Sequence, residues 1–166
     1  QRDEADREIV RPDGSRVIPL LMQLELFNDW AVDLVFDQLY YDILPGIDLY
    51  QDPVREPYLE GYLDWDELTF LHQQGFFTQS DPRFAELWRI LYDLRQYTNR
   101  NLAGTDTIRE FVTQRGAMMW SACNFSYRLA TDPQLGFEWG VFYPPPFTRA
   151  TSPFASLTDT CVIGGS

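Results

Sequence analysis

Hydrophobic positions along this chain come in two spacings, which predict helices alternating with short strands. Val32, Val35, Phe36, Leu39, Tyr40, Ile43 and Leu44 recur every three or four residues, while Asp29, Asp33, Asp37 and Asp42 fall on other faces, as in an amphipathic helix. Asn28 or Asp29 is expected to cap that helix and Pro45-Gly46 to stop it. Ahead of it, Ile18–Leu24 is an apolar run too short for a helix; it follows the turn signal Pro12-Asp13-Gly14 and reads as a buried strand. Beyond it, residues 45–63 read as an irregular connection.

Further elements follow from their punctuation. Asp64-x-x-Glu67 has the form of a capping box and opens a helix to about Gln74, with Gly75 as its stop. Asp81-Pro82 starts a longer helix, whose apolar set Phe84, Leu87, Trp88, Ile90, Leu91 and Leu94 is wide enough to be buried on more than one side. Gly104-Thr-Asp-Thr107 caps a helix carrying Ile108, Phe111 and Val112, which Arg115-Gly116 ends. Ala117–Trp120 predicts a second strand, Cys123–Leu129 a short helix, Phe137–Tyr143 a third strand and Leu157–Ile163 a fourth apolar run; Pro144-Pro-Pro146 blocks continuation of the third. Strands separated by helices predict an α-rich α/β domain with a small, mostly parallel sheet.

At 166 residues, the length fits one domain, 1–166, behind a charged lead-in at 1–13. A hydrophobic fraction of 45% with 23% charged residues is globular, and 16% aromatic residues is high. The net charge of −12 argues against nucleic acid and anionic membrane surfaces as partners. All 13 cationic side chains are Arg, so lysine Schiff-base chemistry and a lysine-dependent phosphate loop are excluded. Cys123 and Cys161, with His72 as the one histidine, make no Cys/His zinc set, and no metal or cofactor is expected. A disulfide between the cysteines is open. The apolar run breaking off at Ile163-Gly-Gly-Ser166 reads as a piece cut from a longer protein.

The order of elements resembles a known family. Gly14-Ser-Arg-Val-Ile-Pro-Leu20 followed by Asn28-Asp-Trp30, then Phe111-Val-Thr-Gln-Arg-Gly116 with Ala117-Met-Met119, then Phe137-Glu-Trp-Gly-Val-Phe-Tyr-Pro144, and last Thr151–Phe154 with Leu157–Gly164, resemble successive passages of bacterial extracellular solute-binding proteins, the binding components of ABC importers. The resemblance spans about residues 14–165. It implies a truncated helix-rich lobe of the type II periplasmic-binding-protein kind, outside the cytoplasm, that takes a sugar or similar polar solute between two lobes and passes it to a membrane permease. Where the family usually places Gly-x-Trp after the second strand, this chain has Ser121-Ala-Cys-Asn124-Phe125, so the usual aromatic platform is missing at that position.

Two clusters are candidate ligand contacts. Glu25, Phe27, Asn28 and Trp30 lie where the first strand ends and the first helix begins; Trp120, Asn124 and Phe125 lie at the exit of the second strand. Sugar recognition needs carboxylates or amides for hydroxyls and a flat apolar face, and these residues offer both. Trp30, Phe27 and Trp120 read equally as core, and Asn28 as a helix cap.

Other chemistry is weaker. Asp64 and Glu67 could form a glycosidase pair, although acids in a first helical turn ordinarily serve as caps and dipole partners. Asp29, Asp33 and Asp37 read as a solvated face rather than a cation loop, and His72 lacks a nucleophile motif. The competing readings are therefore a glycosidase-type enzyme, or a sensor or interaction domain on the same fold.

Overall fold

The computed structural model describes residues 10–43, 65–121 and 124–156. It is a mixed α/β structure with a two-stranded parallel sheet. Strand β1 is Ile18–Leu21; a π-helical stretch, Leu26–Ala31, runs into α1, Val32–Tyr40; then come α2, Trp65–Gln73, α3, Pro82–Arg95, α4, Thr107–Val112, β2, Gly116–Met119, and α5, Asn124–Ala130. No helix among the described residues is long and apolar enough to cross a membrane. The chain divides into two compact units, Gln1–Ala31 with Tyr92–Phe142 and Val32–Leu91 with Tyr143–Ser166.

The first unit is built on β1 and β2, paired with Ile18 opposite Gly116, Leu20 opposite Met118 and Leu21 opposite Met119. On its other edge β1 makes a parallel bridge from Leu20 to Thr98, the Leu20 N–H donating to Tyr97 O at 3.1 Å. With neighbours on both edges, β1 buries Leu21 and the following Met22 completely. Leu21, Phe111, Val112 and Leu129 form the core cluster, and Ile18, Ile108, Met119, Leu135, Phe137 and Trp139 pack against it. Gly116 was expected as a helix stop, but it sits buried inside the strand pair, where a Cβ would run into the Leu21 side chain.

Helix α4 starts on Asp106, whose carboxylate accepts the Arg109 N–H. It ends in a paired-bond C-cap, Arg115 N–H to Glu110 O and Gln114 N–H to Phe111 O, both 2.8 Å. The left-handed residue there is Gln114, at φ 62°.

The second unit is helical. Asp81 caps α3 through the Arg83 N–H at 2.9 Å, with Pro82 as the first helical residue, as the Asp-Pro pair predicts. Helix α2 ends with the same C-cap, Phe76 N–H to Leu71 O and Gly75 N–H to His72 O, this time with Gly75 at φ 94°. Two of the last carbonyls of α1 are taken by groups distant in sequence: Gln38 O accepts from the main-chain N–H and the hydroxyl of Ser156, and Leu39 O from the Arg83 guanidinium.

Three expectations need correction. Phe137–Tyr143 is not a strand: Phe137 and Trp139 still turn inward as alternation requires, but Val141, Phe142 and Tyr143 are exposed. Three prolines without N–H groups follow directly, and Gly140 weakens the run, so a ladder has little to hold it. The first strand ends at Leu21 rather than Leu24, because the Met22 N–H is taken by a side chain, Asn99 Oδ1. Asn28 and Asp29 cap nothing; they lie inside the π-helical stretch, and helical bonding begins with Phe27 N–H to Gln23 O at 3.0 Å. The capping residue Asp64, the helix stop Pro45-Gly46, the whole irregular connection 45–63, Cys123, Cys161 and the run 157–163 lie outside the described residues.

Candidate functional site

The site is assembled at one end of the sheet. Because β1 and β2 are parallel, Met22 and Trp120 leave it on the same side, and the Trp120 N–H bonds Leu21 O at 2.9 Å. Carboxyl ends of parallel strands are where α/β proteins gather ligands, since main-chain groups there have left the ladder. From β1 the chain passes through Gln23 and Leu24 directly into the helical stretch carrying Glu25, Phe27, Asn28 and Trp30.

Exposure separates these residues by role. Glu25 and Asn28 are exposed, while Phe27, Trp30 and Trp120 are half-buried. A carboxylate and a carboxamide in solvent beside half-buried aromatic residues can bind polyhydroxylated solutes by hydrogen bonds and flat apolar contact. Phe125 is also half-buried, but the Arg128 guanidinium stands 5.4 Å from its ring centre and occupies one face. Asn124 opens α5, and its side chain lies outside those described.

Sequence reasoning missed a third wall, the loop Thr98–Leu102. Asn99 is 3% exposed, and its carboxamide is used at both ends: Oδ1 accepts the Met22 N–H at 2.8 Å and Nδ2 donates to Asn101 O at 2.9 Å. Arg95 grips the same loop by donating to Thr98 Oγ1 at 2.8 Å, Asn99 O at 3.1 Å and Arg100 O at 2.8 Å. The Leu24 N–H then reaches Leu102 O at 3.2 Å, so loop and strand exit are joined on both sides of Gln23. The available signal was the polar run Asn99-Arg-Asn101 between a helix and a capping Asp; it marks a turn but not its partner.

At the opposite end of β1 lies a small polar cavity of about 270 Å³, lined by Asp13, Ser15, Arg16, Ile18, Glu110 and Arg115. Its groups largely answer one another. Asp13 accepts from Ser15 Oγ at 2.5 Å and Ser15 N at 2.9 Å, and these bonds, side chain first, hold its carboxyl below the usual range. Arg115 lies 3.6 Å from Glu110 and Arg11 3.8 Å from Asp13.

The remaining candidates are scattered. Glu67 is buried in α2, Asp66 beside it is exposed, and His72 is exposed in the last turn of the same helix. Asp29 and Asp33 are exposed, and among the described residues no three His, Cys, Asp or Glu side chains gather as a metal site. No protein-family model, no curated protein and no solved structure matches the chain, so its function rests on its own residues.

Proposed function

We propose that the chain is a lobe of an extracytoplasmic solute-binding protein, of the type II periplasmic-binding-protein kind, that delivers a carbohydrate or similar polar solute to an ABC permease. The observation that carries this reading is the parallel pairing of β1 with β2. It brings together two of the passages on which the family resemblance rests, and it leaves Glu25, Phe27, Asn28, Trp30 and Trp120 at or just beyond the sheet's carboxyl end. In this reading Glu25 and Asn28 take solute hydroxyls, Trp30 and Trp120 offer ring faces, and a second lobe closes over the bound solute about a hinge. No bond of the solute is made or broken.

The test is thermal unfolding of the longest polypeptide that carries this chain, against glucose, maltose, longer oligosaccharides, amino acids, oligopeptides and polyamines. A solute at about 100 times its Kd stabilises by about 2.7 kcal/mol, a shift of a few degrees. A shift with one saccharide class supports the reading. No shift with any class, from a folded protein, removes it and favours a sensor or interaction role.

A further inference from the structure

We propose that Asn99 is the positioning residue of the binding face, fixing where the segment Gln23–Trp30 leaves the sheet. The inference rests on the solute-binding reading but adds a residue outside both candidate clusters. Its ground is geometric. Asn99 is a buried side chain with no apolar reason to be there, and desolvating a carboxamide is unfavourable unless its polar atoms are bonded. Both ends are bonded, one to the last main-chain donor before the candidate segment and the other to the carbonyl of Asn101.

The neighbouring contacts make this a junction rather than an isolated bond. Arg95 holds the loop carbonyls of Asn99 and Arg100, and the Leu24 N–H bonds Leu102 O. Gln23 is therefore bracketed, and the Gln23 carbonyl begins the helical bonding by accepting the Phe27 N–H. A shift at Asn99 passes through Met22 and Gln23 to the turn that carries Glu25, Phe27, Asn28 and Trp30. Buried, fully bonded polar groups that orient ligand-contacting residues are what precise binding requires of its supporting shell.

Two variants separate positioning from mere stability. Asn99→Asp keeps an acceptor for the Met22 N–H and loses the donor to Asn101; Asn99→Leu loses both and keeps much of the volume. The first readout is amide hydrogen exchange by NMR, with no solute. Asn99→Leu is expected to speed exchange at Met22 and Leu24 at least tenfold while Ile18 and Trp120 stay within about threefold, and Asn99→Asp to leave Met22 protected. Unchanged exchange at Met22 in Asn99→Leu, or uniform acceleration of every amide, overturns the proposal. The second readout uses maltose as probe: Asn99→Leu weakens its Kd at least tenfold and Asn99→Asp less than threefold. Equal affinity in all three proteins overturns positioning. Failure of the unaltered protein to bind maltose counts against that sugar as the solute, and the exchange readout still decides the role of Asn99.

Discussion

Both units bury apolar side chains, but they differ in the polar groups buried with them. In the one built on β1 and β2 the central cluster is apolar, Leu21, Phe111, Val112 and Leu129, and Asn99 and Thr98 enter at the strand edge. In the one built on α1 and α2 the buried set includes Gln38, Asp81 and Ser152 together with Tyr40, and the bonds run from side chain to main chain or to another side chain. Asp81 alone accepts from Tyr40 Oη at 2.6 Å, Phe77 N at 2.9 Å and Arg83 N at 2.9 Å. Gln38 Oε1 takes the Phe147 N–H at 2.8 Å, and Arg83 pairs with Asp42 while standing 5.9 Å from the Tyr40 ring and 5.5 Å from that of Phe154. In the helical unit these polar groups are committed to joining segments; in the sheet unit the strand ends leave a carboxylate and an amide toward solvent beside half-buried aromatic residues. Ligand chemistry is therefore sought in the sheet unit.

Breaking the helical network should have the largest effect. Asp81→Ala removes a helix cap, worth about 1 kcal/mol, and leaves buried donors unpaired at about 1–3 kcal/mol; urea unfolding should show a loss of about 3 kcal/mol. In the sheet unit the sensitive point is steric. Gly116→Ala drives a methyl into Leu21, and overpacking of this kind costs about 1–3 kcal/mol, read as a lower urea midpoint; a neutral result would mean that β1 and β2 do not pack this closely.

Tyr40 sharpens the contrast through pH. Burial first, and then its bond to Asp81, raise the Tyr40 hydroxyl well above the ordinary phenol range. A folded pKa above the unfolded value of about 10 gives a contribution that is whole below about pH 10 and is lost as the pH rises through the folded value. Tyr40→Phe should cost about 1–2 kcal/mol near neutrality and flatten the alkaline fall in unfolding midpoint. Glu86 works with the opposite sign. Its bond from Arg89, then that from Ser152, holds its carboxyl below the usual range, so its contribution is present at neutral pH and is lost on acidification.

The smallest effect compares two helix ends of the same design. The left-handed C-cap position is Gly75 after α2 and Gln114 after α4. Gln114→Gly should raise stability by about 0.5–1 kcal/mol, since a side chain is strained in that conformation, whereas Gly75→Ala should lower it by a similar amount. Melting curves of the two variants moving in the same direction would break the comparison.

These residues also show what the sequence made legible. Asp81-Pro82, Gly75 and Asp106 act through neighbours a few positions away, so their helix ends could be placed from local chemistry. Both strands of the sheet were visible as short apolar runs, and with them the two clusters at their exits. What stayed hidden depends on distant partners: Asn99 reaching Met22, Leu21 requiring a glycine at 116, and Gln38 holding Phe147 and Ser156. The run Phe137–Tyr143 shows the converse. Predicted as a strand, it does turn Phe137 and Trp139 inward, but an apolar run reports burial and not whether a neighbour completes the ladder.

The central claim is that a polar solute binds at the sheet's carboxyl end, and the five tryptophans provide direct reporters of it. Indole N–H signals assigned by NMR should be followed while titrating the solute that gives the largest thermal shift. Saturable changes at Trp30 and Trp120, with Trp65 and Trp88 of the helical unit unmoved, are the expected result. Changes confined to Trp65 and Trp88, or none at any indole while the protein is demonstrably stabilised, would contradict it.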